Sequence, residues 1–266
     1  MVDPRLIQAV DDLISRQARP DHIPLIAIAG AQGSGKSTLA AEVARRLSCA
    51  ALSLDDVYLT KAERADLAAR LHPLFAVRGP PGTHDLDLLD RTLTRLRSAA
   101  PGDRTPIPAF DKLSDDRRPE PDWPVFKGRP RALLLEGWCL GATPQGPAAL
   151  AVPINALERD EDPDGLWRRE IHDGLKTGYA RLFATFDALL FLKAPDFDRV
   201  LDWRVEQEAS LTHAPVPAPR RAELARFVQH FERISRHMMA GGVAADVVAE
   251  LDDGRAVRRL LGPDGA

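Results

Sequence analysis

The stretch Gly30-Ala31-Gln32-Gly33-Ser34-Gly35-Lys36-Ser37 decides the fold of this chain, because it matches the pattern GxxxxGK[ST]. Glycines in such a turn let consecutive backbone N–H groups point inward at a phosphate, and the start of the next helix adds the positive end of its dipole. An apolar run precedes the motif at residues 25–29, and an amphipathic pattern follows it at 36–47. Strand, loop and helix in this order predict a nucleotide phosphate site rather than a structural glycine turn.

Outward from this loop, short apolar runs alternate with helical patterns along the rest of the chain. Such runs, bounded by turn residues, are typical of strands buried on both faces of a parallel sheet. They predict strands at 25–29, 50–54, 132–135, 188–192 and 246–251, and helices at 4–18, 36–47, 60–71, 85–99, 166–183, 196–209 and 220–239. We therefore expect an α/β fold of the P-loop NTPase type, with a doubly wound, mainly parallel sheet, helices on both faces and a lid insertion.

The chain is predicted to form a single domain over residues 1–266. One long segment is dense in Pro, Asp and Arg and is predicted to be irregular, and segments of that kind inside a compact domain are usually functional or mobile. The predicted parts are an N-terminal helix within 1–23, this substrate-side excursion at 100–130, possible lid elements at about 155–183 and 204–219, and a short tail after Asp252.

Composition excludes several classes of function. Lys and Arg number 36 against 39 Asp and Glu, a net charge of −3, so the composition does not require a surface for nucleic acid. Aromatic residues make up only 6%, which disfavours a stacking platform for single strands. Cys49 and Cys139 lie far apart and predict neither a disulfide framework nor a zinc site. With no signal-like start and no spanning apolar run, we expect a cytoplasmic protein without membrane contacts, either a monomer or a homodimer.

Acidic side chains follow two of the predicted strands. Asp55 and Asp56 end one strand, and Glu136 ends another. In a doubly wound sheet the ligand lies beyond the carboxyl ends of the strands, so these acids should face the phosphate loop. One carboxylate would accept the proton of an attacking hydroxyl, and another would orient Mg²⁺ directly or through water. The alternative for Asp55 or Asp56 is the cap of a following helix.

Several further motifs occur in a fixed order along the chain. After the phosphate loop come Ser53-Leu-Asp-Asp-Val-Tyr-Leu-Thr60, Arg78-Gly-Pro-Pro-Gly-Thr-His-Asp85, Phe110-Asp-Lys112 and Leu135-Glu-Gly-Trp138. In this combination the chain resembles the D-glycerate 3-kinase family, within the P-loop kinases that include uridine kinase, phosphoribulokinase and pantothenate kinase. The resemblance covers residues 24–255. It implies an ATP- and Mg²⁺-dependent phosphotransferase that acts on the hydroxyl of a small acid, with D-glycerate converted to 3-phosphoglycerate.

The resemblance also implies roles for individual residues. Asp55 matches the catalytic base of these kinases, and Glu136 matches their Walker-B-like acid, which with Ser37 would hold Mg²⁺. Lys36 and Arg204 would stabilise the transferred phosphoryl group. The implied nucleotide residues are Gly30, Gln32, Gly33, Ser34, Gly35, Lys36, Ser37, Thr38 and Arg255, and the implied substrate residues are Asp56, Tyr58, Arg78, His84, Asp85, Asp111 and Lys112.

Other readings remain open at this stage. The acceptor could be a nucleoside, pantothenate or another sugar acid, and a P-loop regulator that grips a protein partner is the rival from another class. Either Asp55 or Asp56 could be the base. The candidate cations for a substrate carboxylate are Lys112, Arg78, Arg117 and Arg118, although Arg117 and Arg118 could equally form a solvated patch. His84 could bind substrate or hold its loop, and Trp138 could line the site or the core.

Two more expectations concern side chains outside the motifs. Cys139 is expected to be a small buried residue rather than a nucleophile. Arg168 and Arg169 could belong to a catalytic lid, but a solvated helix face is the favoured interpretation for both.

Overall fold

A six-stranded sheet forms the centre of the protein. The computed structural model describes residues 2–262, without the side chains of residues 211 and 212. The strands are β1 (Leu25–Gly30), β2 (Ala50–Ser53), β3 (Arg104–Pro106), β4 (Phe110–Asp111), β5 (Asp116–Arg117), β6 (Val125–Lys127), β7 (Leu133–Gly137), β8 (Ala188–Lys193), β9 (Val247–Leu251) and β10 (Val257–Leu261). The main sheet has the order β10-β9-β8-β1-β7-β2, and only β10 runs antiparallel to its neighbour. The predicted doubly wound α/β fold is confirmed.

Helices cover both faces of this sheet. They are α1 (Pro4–Gln17), α2 (Lys36–Leu47), α3 (Lys61–Arg70), α4 (Leu86–Arg97), α5 (Pro147–Ala151), α6 (Ala156–Glu161), α7 (Leu166–Lys176), α8 (Gly178–Phe183), α9 (Asp198–Thr212) and α10 (Ala218–Met239). Their starts follow local chemistry. Asp3 caps α1 ahead of Pro4, and Thr60 and Glu63 form a capping box at α3. Of the described helices, none is long and apolar enough to cross a membrane.

The structure corrects three sequence predictions. The helix predicted at 166–183 is two helices, because Thr177 (φ −116°, ψ −90°) breaks it between α7 and α8. The chain after Asp252 is not a mere tail, because it turns back as β10 and pairs with β9. The excursion at 100–130 is partly ordered: β3 pairs with β6, and β4 pairs with β5. These short strand pairs lack a long apolar alternation, so no sequence period reveals them.

The central strand β1 shows why the sheet is buried on both sides. All six of its residues are buried. Leu25, Ala27 and Ala29 face the cluster built with α4, α7, α8 and α10, whereas Ile26 and Ile28 face the cluster built with α1 and α2. Successive strand side chains alternate between faces, so one apolar run feeds both cores.

The parallel register brings three strand ends to one edge. Ala29 of β1 pairs with Gly137 of β7, and Ser53 of β2 pairs with Glu136. Because these strands run in the same direction, the phosphate loop after β1, the acid Glu136 and the segment after Ser53 meet at the carboxyl edge of the sheet.

Candidate active site

The phosphate loop is an open turn that ends in an uncapped helix. Gly33 and Gly35 have φ values of 78° and 94°, in the left-handed region that glycine adopts without strain. Gly35 is the residue before α2, and no side chain caps the helix there. The first-turn N–H groups of α2 are thus left for an anion. A Cβ on Gly33 would lie 2.6 Å from Cβ of Trp203, so this position also has no room for a side chain.

Lys36 is buried beneath the loop, and its Nζ donates to the carbonyl oxygen of Ala31 at 3.0 Å. Burial lowers the pKa of Lys36, while the charges of Glu136 and Asp55 act in the opposite direction. The charges of both acids therefore act on the ammonium group. An incoming phosphate would add a strong partner to a cation whose hydrogen bond among residues 2–262 goes to a carbonyl oxygen.

Glu136 is buried and organises two hydroxyl groups. Ser37 Oγ donates to Glu136 Oε1 at 2.9 Å, and Ser53 Oγ donates to the same oxygen at 2.7 Å. This all-oxygen set suits Mg²⁺, which is usually bound by one or two protein groups together with water and phosphate oxygens. Within residues 2–262 there is no group of three or more His, Cys, Asp or Glu side chains that could hold a metal ion by themselves.

The segment after β2 turns at once into a short 3-10 helix, Leu54–Val57, and Ser53 caps it. The alternative role of Asp55 or Asp56 as a helix cap is therefore not needed. Within this turn the two acids take different partners. Asp55 accepts from Tyr58 OH at 2.8 Å and pairs with Lys112 Nζ at 3.2 Å, whereas Asp56 accepts from the N–H of Phe110 at 3.1 Å.

The environments of the two acids move their pKa values in opposite directions. Burial opposes the ionisation of Asp55, but Lys112, the Tyr58 hydrogen bond and Lys36 outweigh it, so the pKa of Asp55 is lowered. Burial raises the pKa of Asp56 to about 6, although the Phe110 N–H partly offsets this. Asp55 is thus an ionised acceptor at neutral pH that lies among cations.

Two of the sequence motifs pair with each other through the backbone. Leu59 N donates to Thr83 O at 2.8 Å, and Asp85 N donates to Val57 O at 2.7 Å. Tyr58 and His84 are therefore directly opposite, with both side chains on one face, and their rings stack at 4.7 Å.

Asp85 and Arg117 stabilise this paired segment through hydrogen bonds and an ion pair. Asp85 Oδ1 caps α4 by accepting from Leu88 N at 2.8 Å, and its Oδ2 pairs with Arg117 at 3.1 Å. Arg117 also donates to Tyr58 O at 2.8 Å. Arg117 is accordingly not part of a solvated patch, whereas Arg118 is exposed.

Two arginines converge on one aspartate below Phe110. Arg64 is fully buried and pairs with Asp115 Oδ2 at 2.6 Å, and Arg78 pairs with Asp115 Oδ1. Both guanidinium carbons lie 5.6 Å from the centre of the Phe110 ring. The sequence did not single out Arg64 or Asp115, because α3 is charged along its length and no local signal marks its buried face.

A pocket of about 280 Å³ lies beside the phosphate loop. Its lining residues are Gly33, Gly35, Lys36, Ser37, Thr38, Trp203, Gln207 and Arg255. Arg255 Nε donates to Gly33 O at 2.7 Å, Arg255 pairs with Glu206, and its guanidinium lies 5.0 Å from the Trp203 ring. This clamp joins the turn after β9 and helix α9 to the loop. Trp203 itself was not predicted to be a site residue.

Arg204, the next residue on α9, donates to Gln207 Oε1 at 2.7 Å. Burial lowers its pKa, and its charge interacts with Arg78 and Asp55. Gln207, the partner of Arg204, lines the phosphate-loop pocket, so Arg204 lies next to that pocket.

The remaining predicted residues have other surroundings. Asp111 closes its own turn by accepting from Leu113 N and Ser114 Oγ. Gln32 Oε1 and Ser34 Oγ are buried without a hydrogen-bond partner among residues 2–262. Trp138 is a core residue whose Nε1 donates to Gly79 O at 3.0 Å. Cys139 is buried and unpaired, and burial raises the pKa of its thiol, which does not favour a nucleophile.

The expectation for Arg168 was wrong. Its side chain is neither solvated nor directed at the phosphate loop, because it is buried and bonded to Asp162 Oδ2 at 3.1 Å and to Leu150 O at 2.6 Å. Arg169 is exposed, as expected of a helix surface.

Comparison with known proteins adds a relative in sequence and several in structure. No profile of a protein family matches the chain. A Schizosaccharomyces pombe protein, described as the uncharacterized kinase mug58, is 32% identical over 244 residues, which cover 85% of each chain. This chain belongs to the same kinase family. It is a P-loop kinase, as the phosphate loop and the order of its strands predict.

Solved structures agree on the fold of this kinase. D-glycerate 3-kinase from Cryptococcus neoformans superposes with a TM-score of 0.75, covers 97% of this chain and 98% of its own, and is 20% identical. The YGR205w protein has a TM-score of 0.70, covers 97% and 95%, and is 21% identical. These structures share the fold that the sequence motifs predict, and the relative at 32% identity makes the chain an ATP-dependent kinase.

Proposed function

We propose that this kinase transfers the γ-phosphoryl group of ATP to a hydroxyl group of D-glycerate, giving 3-phosphoglycerate. The main support for this function is the position of Asp55. It is an ionised carboxylate whose charge interacts with Lys36 of the phosphate loop, and its other oxygen pairs with the exposed cation Lys112. A base, a phosphate site and a cation for a carboxylate are thus side by side.

The proton of the attacking hydroxyl is taken by Asp55. Tyr58 fixes the carboxylate through Oδ1, which leaves Oδ2 to accept from the substrate once Lys112 turns to the substrate carboxylate. The loss of that ion pair raises the basicity of Asp55 at the moment when it is needed. Asp56 is the less suitable base, because it accepts a backbone N–H and its pKa of about 6 leaves part of it protonated near neutrality.

Lys36 and the N–H groups of the loop neutralise charge on the transferring phosphoryl oxygens, and we assign the same role to Arg204. Ser37 and Glu136 would hold Mg²⁺, which would supply positive charge against the phosphate oxygens of the nucleotide. Trp203, Gln207 and Arg255 border the rest of the nucleotide.

An acidic substrate fits the charge of the site. Lys112 has a side chain that is 59% exposed, so it can follow a small ligand, and Arg78 and Arg204 interact electrostatically nearby. Arg117 is engaged by Asp85 and by a carbonyl oxygen and is not assigned to the carboxylate. The Cryptococcus neoformans relative in fold carries the name D-glycerate 3-kinase, which supports the same acceptor. We infer a cytoplasmic reaction from the two free, buried cysteines.

A panel of acceptors tests this proposal. Purified protein with ATP and Mg²⁺ is assayed for ADP release with D-glycerate, L-glycerate, uridine, pantothenate and gluconate, and the product is identified by NMR. We expect D-glycerate to have the highest kcat/KM and the phosphate to be on its C3 oxygen. A preference for uridine or pantothenate would overturn the substrate. ATP hydrolysis that no acceptor stimulates would favour a P-loop regulator.

A further inference from the structure

His84 is a buried side chain between two tyrosines, next to the proposed base. Its ring stacks on Tyr58, whose hydroxyl donates to Asp55. Burial lowers the pKa of His84, and the charge of Asp55 acts in the opposite direction. On its other edge His84 meets Tyr179 of α8, a residue that the sequence motifs do not include. The RGPPGTHD motif and α8 are thus joined at a single imidazole.

The hydrogen bonds around Tyr179 determine which nitrogen of His84 carries the proton. Gly82 N donates to Tyr179 OH at 3.0 Å, and Tyr179 OH lies 2.5 Å from His84 Nδ1. If the phenol donates to Nδ1, the ring proton is on Nε2 and only that N–H is without a partner. If Nδ1 donates instead, both the phenol proton and the Nε2 lone pair are left without partners among residues 2–262. The first arrangement leaves fewer buried polar atoms without a hydrogen bond, so the proton is placed on Nε2.

This tautomer leaves one donor that the described protein does not use. His84 Nε2 is buried and has no hydrogen-bond partner among residues 2–262. Burial lowers the pKa of His84 to about 4, so the ring is neutral at physiological pH and its tautomer, rather than its charge, decides what it can bind. Buried donors are normally satisfied, so a donor without a partner beside the proposed base is available to a ligand atom.

We propose that Tyr179 is a positioning residue that holds His84 as the Nε2–H tautomer, so that Nε2–H donates to an oxygen of the acceptor substrate beside Asp55. The inference rests on the proposed function and adds to it a directional donor for the substrate. The oxygen belongs to the hydroxy acid rather than to ATP, because His84 lies on the Tyr58 side of Asp55 and is absent from the lining of the phosphate-loop pocket.

The first arm of the test observes the tautomer directly. Protein labelled with ¹⁵N-histidine is examined by two-bond ¹H–¹⁵N correlation NMR, with His84→Gln used to assign the signal. We expect the Nε2–H pattern in the wild type, and a mixture of tautomers or the Nδ1–H form in Tyr179→Phe. A wild-type ring protonated at Nδ1, or a pattern that Tyr179→Phe does not change, would overturn the proposal.

The second arm measures steady-state kinetics with D-glycerate as the acceptor. The amide nitrogen of glutamine can occupy the place of Nε2, whereas that of asparagine lies near Nδ1. We therefore expect the KM for D-glycerate to rise about tenfold in His84→Asn and Tyr179→Phe, and clearly less in His84→Gln, with the KM for ATP unchanged within about twofold. Equal losses in the Gln and Asn variants, or a loss confined to ATP binding, would contradict a donor at Nε2.

A matched control and a separate failure mode complete the test. His22→Gln changes a histidine that pairs with Asp187 at the opposite end of β1, and it should leave both KM values unchanged. If the wild type turns over another acceptor and not D-glycerate, the proposed substrate fails, and the kinetic arm is run with that acceptor. The NMR arm decides the tautomer in either case.

Discussion

Two parts of this kinase bring charged side chains together, and they pair them differently. The helical ion-pair cluster consists of Glu158, Asp162, Arg168 and Arg233, contributed by α6, α7, α10 and the α6–α7 connection. Arg233 makes a two-pronged contact with Glu158, with Nε to Oε1 at 2.7 Å and Nη2 to Oε2 at 2.6 Å, and it also donates to Ala149 O and Val152 O. Each charge in this cluster meets an opposite charge inside the protein.

The site edge consists of Lys36, Asp55, Lys112 and Glu136, and its pairs are of another kind. Lys36 donates to a carbonyl oxygen, and the Lys112–Asp55 pair is a single contact at 3.2 Å between groups that remain partly exposed. Glu136 accepts from two hydroxyl groups rather than from a cation. In the proposed function, phosphate, metal ion and substrate replace these partners.

The contrast between the helical ion-pair cluster and the site edge separates charges that stabilise the fold from charges that are available to a ligand. A buried pair in which both partners are saturated resists rearrangement, because removing either partner leaves an uncompensated charge. A charge with a replaceable partner is ready for a ligand. By this criterion Arg168 supports the fold, whereas Lys112 has the replaceable partner expected of the role that we propose for it in the reaction.

The largest effect is expected at Asp55. Asp55→Asn removes the proton acceptor while keeping the hydrogen bond from Tyr58, so kcat with D-glycerate should fall by about 10³ to 10⁴. The measurement is coupled ADP release, with circular dichroism to verify the fold. Asp66→Asn, on an exposed pair with Arg70, is the control and should retain full activity. Near-normal turnover in Asp55→Asn would reject it as the base.

Breaking the helical ion-pair cluster should affect stability rather than activity. Glu158→Gln leaves the guanidinium of Arg233 buried and unpaired, which should lower the free energy of unfolding by about 3 kcal/mol or more. For a chain of this size the melting temperature should fall by about 6 °C or more. The kcat of the folded protein at low temperature should stay within about twofold of the wild type.

The matched control for this change is Glu161→Gln. Glu161 pairs with Arg226 on the surface of the same helices, with about half of each side chain exposed. Its loss should alter the free energy of unfolding by less than about 1 kcal/mol. Equal destabilisation by the two variants would remove the distinction between a saturated buried pair and an exposed one.

Lys112 should govern the acceptor and not the nucleotide. Lys112→Met keeps much of the length of the side chain and removes the charge, so the KM for D-glycerate should rise about 30-fold while the KM for ATP changes little. Initial rates over a grid of both substrates separate the two constants. A matched rise in the KM for ATP would mean that Lys112 belongs to the phosphate site.

The smallest expected effect is at Asp56, where a substitution should change how the free energy of unfolding depends on pH. Its folded pKa of about 6 lies above the unfolded value, so its protonated form contributes stability that is complete below pH 4 and is lost as the pH rises through 6. Asp56→Asn keeps an acceptor for the N–H of Phe110 and cannot ionise, so its stability does not fall with rising pH through this group. Relative to the wild type, the variant should gain about 1–2 kcal/mol between pH 4.5 and pH 7.5 in urea unfolding. A difference that does not vary with pH would contradict the raised pKa.

The sequence was most informative where function depends on local order. The phosphate loop requires glycines at fixed spacing ahead of a lysine, and Glu136 directly follows an apolar run, so both features are visible without knowledge of the fold. The parallel sheet then brings Asp55 to the same edge, because strands that run together end together.

The rest depends on contacts between distant segments. In the sequence, Arg168 has the pattern of a surface residue on an amphipathic helix. In the fold it is buried by its bonds to Asp162 and to the carbonyl oxygen of Leu150. The role of Tyr179 could not be predicted for the same reason. Its hydroxyl forms hydrogen bonds with Gly82 and His84, which lie more than ninety residues away in the sequence. Strand β10 is short and half-exposed, and no hydrophobic period marks it.

The most direct test of the account is a crystal structure with a non-hydrolysable ATP analogue, Mg²⁺ and D-glycerate. We expect the triphosphate on the N–H groups after Gly33, the carboxylate of the substrate on Lys112, and its C3 hydroxyl within about 3 Å of Asp55 Oδ2 and in line with the γ-phosphorus. A substrate hydroxyl directed away from Asp55, with Lys112 still bound to that acid, would contradict the account.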